Sequence, residues 1–120
     1  MEKSIRILGI DPGTAVTGYG LVETGGRKPV ILTLGVLRPG KFDDHYQRLK
    51  YLHERALALI DEFSPDVMAL EAPFYGKNVQ SMLKLGRAQG VIMAAGLYRG
   101  LPIFEYAPLL VKQSITGMGR

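Results

Sequence analysis

The strongest constraint on the fold is a short run of β-branched and apolar residues that ends in an acid. The run covers residues 5–10 and leads to Asp11, after which Pro12 and Gly13 turn the chain into a second β-rich run. A strand end holds a carboxylate in a fixed place, and a glycine after it lets a phosphate approach the backbone. The pattern predicts a hairpin whose acid binds a divalent metal. The alternative is an acid that only caps the turn.

A second acid stands at the end of another short apolar run. Residues 66–70 lead to Glu71, and Pro73 then stops the strand. If the two runs are adjacent parallel strands, Asp11 and Glu71 point from one sheet edge into the same crevice. Two close carboxylates repel each other, and they stay ionised together mainly when a cation lies between them. We therefore predict a metal site built on this pair.

The hydrophobic periodicity predicts a single α/β domain over residues 1–120. Short β-branched or apolar runs bounded by turn residues predict five strands, at 4–11, 15–24, 30–38, 66–71 and 102–106. Apolar residues at helical spacing predict two helices and a final helical turn, at 43–63, 78–99 and 108–115. This order predicts a five-stranded mixed sheet flanked by helices, with three antiparallel strands followed by two parallel ones.

Three features of the predicted helices lead to expectations: the helix ends, the charged outer face and the glycines inside the second helix. Either Asp43 or Asp44 can cap the first helix, and Pro65 stops it. The charged residues of its outer face are expected to face solvent; they are Arg48, Lys50, Glu54 and Arg55. A glycine inside a helix costs about 1 kcal/mol relative to alanine, so each glycine of the second helix needs a reason, and close packing against another helix or the sheet is one. Its glycines are Gly86, Gly90 and Gly96.

The composition excludes several classes of protein. No apolar run approaches the roughly 20 residues that span a bilayer, and the first residues do not form a signal peptide. The absence of cysteine excludes a disulfide framework and thiolate chemistry. We expect a cytoplasmic protein with no membrane partner.

Net positive charge is concentrated in the residues that follow Phe74. The net charge is +4 overall. Beyond Phe74 the only acid is Glu105, whereas the basic residues are Lys77, Lys84, Arg87, Arg99, Lys112 and Arg120. A one-signed segment that follows a metal-type acid indicates a DNA-facing surface. A solvated basic face is the alternative.

Five motifs, in the right order, resemble those of the RuvC-type Holliday-junction resolvases of bacteria. The resemblance covers nearly the whole chain. The motifs are Leu-Gly-Ile-Asp-Pro-Gly-Thr at 8–14 with Thr-Gly-Tyr-Gly at 17–20, Ala-Leu-Glu at 69–71 with Phe74, Lys77 and Asn78, Leu-Lys-Leu-Gly-Arg-Ala-Gln-Gly at 83–90, Phe-Glu-Tyr-Ala at 104–107, and Val-Lys-Gln at 111–113.

The resemblance implies a fold, an activity and partners. The fold is the ribonuclease-H-like α/β fold. The activity is the metal-dependent resolution of four-way DNA junctions by paired symmetric nicks, in recombination and repair. The implied partners are junction DNA, a second copy of the chain and a branch-migration complex. The implied cofactor is Mg²⁺, two ions per site with Mn²⁺ as a substitute, where Asp11 would bridge both ions and Glu71 would hold one.

The same reading assigns DNA contacts. The resemblance implies that Phe74 stacks on a base at the opened junction, although a ring that plugs the edge of the core is the alternative. The candidate phosphate contacts are Lys77, Lys84, Arg87 and Lys112. Asn78 either caps the following helix or contacts DNA.

One departure from the family pattern limits these expectations. The family's site resembles a cluster of four carboxylates or near-equivalents, two of them on a last helix, and this sequence ends at Arg120 before that motif. We expect the 120 residues to lack that helix and to be catalytically inactive or nearly so. Two rival interpretations stay open: a nucleotide-binding fragment of an actin-like ATPase, and a non-catalytic DNA-binding module.

Overall fold

A computed structural model describes residues 4–26, 28–72 and 78–106. All five predicted strands and both long helices are present. The strands are β1 (Ile5–Asp11), β2 (Thr17–Thr24), β3 (Val30–Leu37), β4 (Val67–Glu71) and β5 (Ile103–Tyr106). The helices are α1 (His45–Phe63) and α2 (Val79–Tyr98), and a short 3₁₀ helix, Pro39–Lys41, precedes α1. The predicted turn at 108–115 lies outside the described residues.

The ends of α1 follow from its flanking residues. The side chain of Asp44 accepts a hydrogen bond of 2.9 Å from the backbone N–H of Gln47, so Asp44 is the N-cap. At the other end Ser64 takes a left-handed conformation, with φ of 48°. The following proline disfavours any further helix. The predicted boundaries are therefore correct to within two residues.

The sheet is mixed, and its strand order is β3-β2-β1-β4-β5. β1 pairs antiparallel with β2, and β2 with β3, whereas β4 lies parallel to β1 and β5 lies parallel to β4. The predicted fold class is confirmed. Because only β2 runs in the opposite direction, the other four strands all end at the same side of the sheet, which we call the carboxyl edge.

The core lies between one face of the sheet and the two helices. Alternate residues of the central strands face α1 and α2 and are at most 1% exposed, as are the helix residues against them; examples are Leu8, Ile10, Met68, Leu70, Leu52 and Ile92. A Cβ on Gly96 would lie 2.7 Å from the Ile103 side chain, which confirms the predicted close packing there. A Cβ on Gly86 or Gly90 would meet nothing within 4 Å in the described chain, so packing within the chain does not account for these two glycines.

Within the described ranges, neither helix has the length and apolar character needed to cross a membrane.

Candidate metal centre and nucleic-acid interface

Asp11 and Glu71 lie next to each other at the carboxyl edge. The last register pair between β1 and β4 is Ile10 with Leu70, and the two acids are the next residues on their strands. Side chains alternate along a strand, so both acids project from the sheet face opposite the helices. Neighbouring strands are about 4.8 Å apart, which brings the two carboxylates within reach of one cation. Asp11 is exposed, whereas Glu71 is only 9% exposed.

The chemistry of this pair fits a hard divalent cation. Carboxylate oxygens are preferred ligands of Mg²⁺, which commonly binds through one or two carboxylates together with waters and substrate phosphates. In the part of the chain that the structure describes, no group of three or more acidic, histidine or cysteine side chains comes together. Among the described residues, the candidate ligands at this edge are therefore these two carboxylates.

Glycines occupy the β2 positions beside Asp11 on this face of the sheet. Asp11 pairs with Gly18 of β2, and Gly9 pairs with Gly20 one step behind them on the same face. A Cβ on Gly18 would have a single neighbour within 4 Å, the Asp11 Cβ at 3.9 Å. The flank of the acid is therefore open, and a bulky polymer can approach the carboxylate along the sheet.

A closed turn follows Asp11. The hydroxyl of Thr17, which is fully buried, donates to the carbonyl of Gly13 at 2.8 Å and accepts from its N–H at 3.0 Å. A Cβ on Gly13 would lie 2.2 Å from the carbonyl oxygen of Val16, a backbone atom with little freedom to move. This position therefore requires glycine. The loop of residues 12–16 is fixed at both of its ends.

Arg48 of α1 does not behave as predicted. Its expected role as solvent-facing charge is wrong, because the side chain is half-buried and turns back toward the loop. The guanidinium donates to the carbonyl of Phe42 at 2.6 Å and to that of Thr14 at 3.2 Å. Helical periodicity places Arg48 on the outer face of the helix, and it carries no signal for a contact 34 residues away.

Positive charge gathers at the same edge as the acids. α1 and α2 follow strands that end there, so both helix N-termini, each with partial positive charge, lie at the carboxyl edge. Lys84 and Arg87 of α2 are exposed. The pKa of His45 is lowered by burial and then by the charges of Arg87, Lys84 and Arg48. The three cations therefore act electrostatically at the start of α1, and Arg48 also contacts the loop that follows Asp11.

Four predicted DNA contacts remain to be placed. The side-chain oxygen of Asn78 accepts a hydrogen bond of 2.8 Å from the N–H of Ser81, so Asn78 is the N-cap of α2. This supports the capping alternative, and a DNA contact by the same residue stays a prediction. Phe74, Lys77 and Lys112 lie outside the described residues, and their roles stay predictions as well.

Sequence reasoning gave no role to one buried polar residue behind Glu71. Gln89 of α2 is 7% exposed, and its amide nitrogen donates to the Glu105 carboxylate at 2.9 Å. The same nitrogen lies 3.5 Å from the Glu71 carbonyl, a weak contact. A glutamine within a stretch of small and apolar helical residues is the signal that could have identified it. Gln89 ties α2 to the ends of β4 and β5.

Comparison with known proteins gives consistent matches. Residues 7–120 match the family model described as crossover junction endodeoxyribonuclease RuvC. A relative of that name from Porphyromonas gingivalis is 61% identical over 117 residues, covering 98% of this chain and 62% of the relative. Among solved structures, Thermus thermophilus RuvC in complex with a Holliday junction substrate has a TM-score of 0.82 at 30% identity, covering 97% of this chain and 71% of that one.

The yeast mitochondrial Holliday junction resolvase shares the fold at much lower identity. Its TM-score is 0.64 at 15% identity, and the match covers 94% of this chain and 58% of that one. For the first curated relatives, the covered share ranges from 56% to 64% of their length. The chain thus spans about three fifths of the curated relatives that it matches.

Proposed function

The chain belongs to the RuvC family of crossover junction endodeoxyribonucleases, and on this premise we propose that it forms the acid-bearing core of a nuclease that resolves four-way DNA junctions. The observation that carries the proposal is the placement of Asp11 and Glu71, side by side at the carboxyl edge, where α2 with its exposed Lys84 and Arg87 also begins. Acids beside cations suit a polyanionic substrate that must be both attracted and cut. The proposed cellular role of this nuclease is in DNA recombination and repair, and its proposed location is the bacterial cytoplasm.

Asp11 and Glu71 are the proposed metal ligands. The proposed ions are two Mg²⁺, for which Mn²⁺ substitutes; Asp11 would bridge both and Glu71 would hold one. When bound, such ions neutralise phosphate charge and supply Lewis acidity for hydrolysis. The protein's own part is to hold the two carboxylates at fixed strand ends. The open glycine surface beside Asp11 leaves room for the DNA backbone.

The proposed DNA interface extends from the acids along the start of α2. Lys84 and Arg87 are exposed there and can contact phosphates, and the proposal adds Lys77 and Lys112 on the basis of the sequence. Phe74 follows Glu71 by three residues in the sequence. Stacking of this ring on an unpaired base is the proposed basis for selecting junctions over linear duplex.

A homodimer is the proposed assembly, because paired symmetric nicks require two sites. An exposed apolar strip on α2 supports it: Val79, Leu83 and Leu97 are 74%, 54% and 62% exposed. Gly86 and Gly90, on the same side, are exposed with open space around them and would let a second helix approach closely. A branch-migration complex as a further partner follows from the family resemblance.

The test compares two proteins on a labelled four-way junction with Mg²⁺ or Mn²⁺. One is the 120-residue chain, and the other is the same chain extended with the C-terminal segment of the Porphyromonas gingivalis relative. We expect paired nicks from the extended protein and almost none from the 120 residues alone, because two carboxylates hold two divalent ions poorly. No cleavage by either protein, with the extended one folded, would reject the proposed function. Binding without cleavage would leave the non-catalytic DNA-binding module.

A further inference from the structure

The loop that follows Asp11 is held from a distance by the first turns of α1. Arg48 donates from Nη1 to the Thr14 carbonyl at 3.2 Å and from Nε to the Phe42 carbonyl at 2.6 Å. One guanidinium therefore links the loop of residues 12–16, the segment just before α1, and α1 itself.

The segment between β3 and α1 supports the same loop a second time. The N–H of Gly40 donates to the Ala15 carbonyl at 3.0 Å, and a Cβ on Gly40 would lie 3.0 Å from that oxygen. The hydroxyl of Tyr51 accepts from the N–H of Arg38 at 3.1 Å, and Lys41 Nζ lies 4.6 Å from the centre of the Tyr51 ring. The segment is thus fixed on α1 and in turn contacts the loop. Arg48 adds a direct hydrogen bond from α1 to the loop.

The geometry requires arginine in particular. A guanidinium presents donors in several fixed directions, whereas an ammonium is a compact charge on a flexible stem. Nε and Nη1 serve two carbonyls that are far apart in the sequence. No carboxylate in the described part of the chain lies within salt-bridge distance of Arg48. The hydrogen bonds of the Arg48 guanidinium therefore go to backbone carbonyls.

We propose that Arg48 is a positioning residue for the metal centre: it holds the loop of residues 12–16 and thereby fixes the Asp11 carboxylate at the end of β1. The inference rests on the proposed function, since it assumes that Asp11 binds metal. It adds a role that neither the strand-end pattern nor the basic surface assigns. Residues that orient a metal ligand typically change metal affinity or activity by about 10–100-fold when they are replaced.

The test uses the extended protein and the variants Arg48→Met and Arg48→Lys. Arg55→Met is the matched control, because it removes the same charge from an exposed position of the same helix. Mn²⁺ affinity is measured by the EPR signal of free ion, exchange of the amides of residues 13–16 by mass spectrometry, and junction binding in Ca²⁺. Melting temperature is recorded for each variant.

Both Arg48 variants should lose about 10–100-fold in Mn²⁺ affinity and show faster exchange in the loop, with junction binding unchanged. The control should match the parent protein. Weaker junction binding with normal Mn²⁺ affinity would make Arg48 a phosphate contact and overturn the proposal. A lower melting temperature with normal Mn²⁺ affinity and loop exchange in the folded protein would also overturn it, as would full recovery by lysine.

Asp11→Asn separates this inference from the proposed function. If Asp11→Asn abolishes Mn²⁺ binding while the Arg48 variants do not change it, only the positioning role fails. If Asp11→Asn leaves Mn²⁺ binding intact, the metal centre itself is wrong, and the role of Arg48 fails with it.

Discussion

Asp11 and Glu71 stand on adjacent parallel strands at equivalent positions, yet Asp11 is exposed and Glu71 is only 9% exposed. The pair therefore presents one carboxylate to solvent and holds the other within the fold. This difference leads to a prediction for each acid.

Asp11→Asn and Glu71→Gln in the extended protein should each lower junction cleavage by at least about 100-fold, because loss of an indirect support already costs 10–100-fold. Junction binding should persist or strengthen, since each change removes a negative charge that repels phosphate. Single-turnover cleavage and binding in Ca²⁺ measure the two effects. Glu54→Gln, an exposed acid on α1, is the control. Cleavage near the parent rate would show that the replaced acid is not a ligand.

Gly13→Ala should damage the site without touching an acid. The new Cβ would fall 2.2 Å from the Val16 carbonyl oxygen, so the loop must shift. Overpacking of this kind costs about 1–3 kcal/mol of folding stability, and we expect weaker Mn²⁺ binding with it. Gly26→Ala is the control, because a Cβ there meets nothing within 4 Å. Denaturant unfolding and Mn²⁺ titration are the measurements, and a parent-like Gly13→Ala protein would contradict the described loop.

Leu83→Glu should convert the proposed dimer into a monomer. The side chain is 54% exposed on the apolar strip of α2, so a charge there costs little in the folded monomer but is buried unpaired in a dimer. Sedimentation measures the mass, and melting temperature at low concentration checks the fold. Tyr46→Glu, at a position 68% exposed on α1, is the control. A dimer that survives Leu83→Glu would place the interface elsewhere.

Asp61 and Arg99 give a prediction for pH. Arg99 donates to both carboxylate oxygens of Asp61, at 2.8 and 2.9 Å, and this hydrogen bonding lowers the pKa of Asp61. A carboxyl whose pKa is depressed by folding stabilises the fold above its unfolded pKa, and the effect disappears as the pH falls through the folded pKa. Asp61→Asn should therefore lower the melting temperature modestly at pH 7, with the difference closing below about pH 4.

Salt provides the check on this pair. Because both side chains are exposed, the difference between parent and Asp61→Asn should also shrink at high ionic strength. Glu62→Gln, which removes a neighbouring exposed acid, is the control. A difference that grows as the pH falls would contradict the assignment.

The sequence predicted the fold well because its signals are local. Strand and helix periods, the caps at Asp44 and Asn78, and the stop before Pro65 depend on neighbouring residues. They placed each strand and both long helices within two residues, but not the short 3₁₀ helix Pro39–Lys41. The pairing of Asp11 with Glu71 needed only the rule that parallel strands end at one edge. The errors concern contacts between distant parts of the chain. Arg48 was assigned to solvent because its partner lies 34 residues earlier.

The hydrogen bond between Arg48 and Thr14 has a consequence for how the protein acquires its structure. The strand that bears Asp11 can pair with its hairpin neighbour as soon as about 24 residues have been made, as the register of β1 and β2 requires no more. The loop after Asp11 gains its distant support only when residues 40–48 have docked. We expect newly made chains to pass through a stage with a formed hairpin and an unfinished cation site. Metal binding would then follow the folding of the new chain and would not guide it.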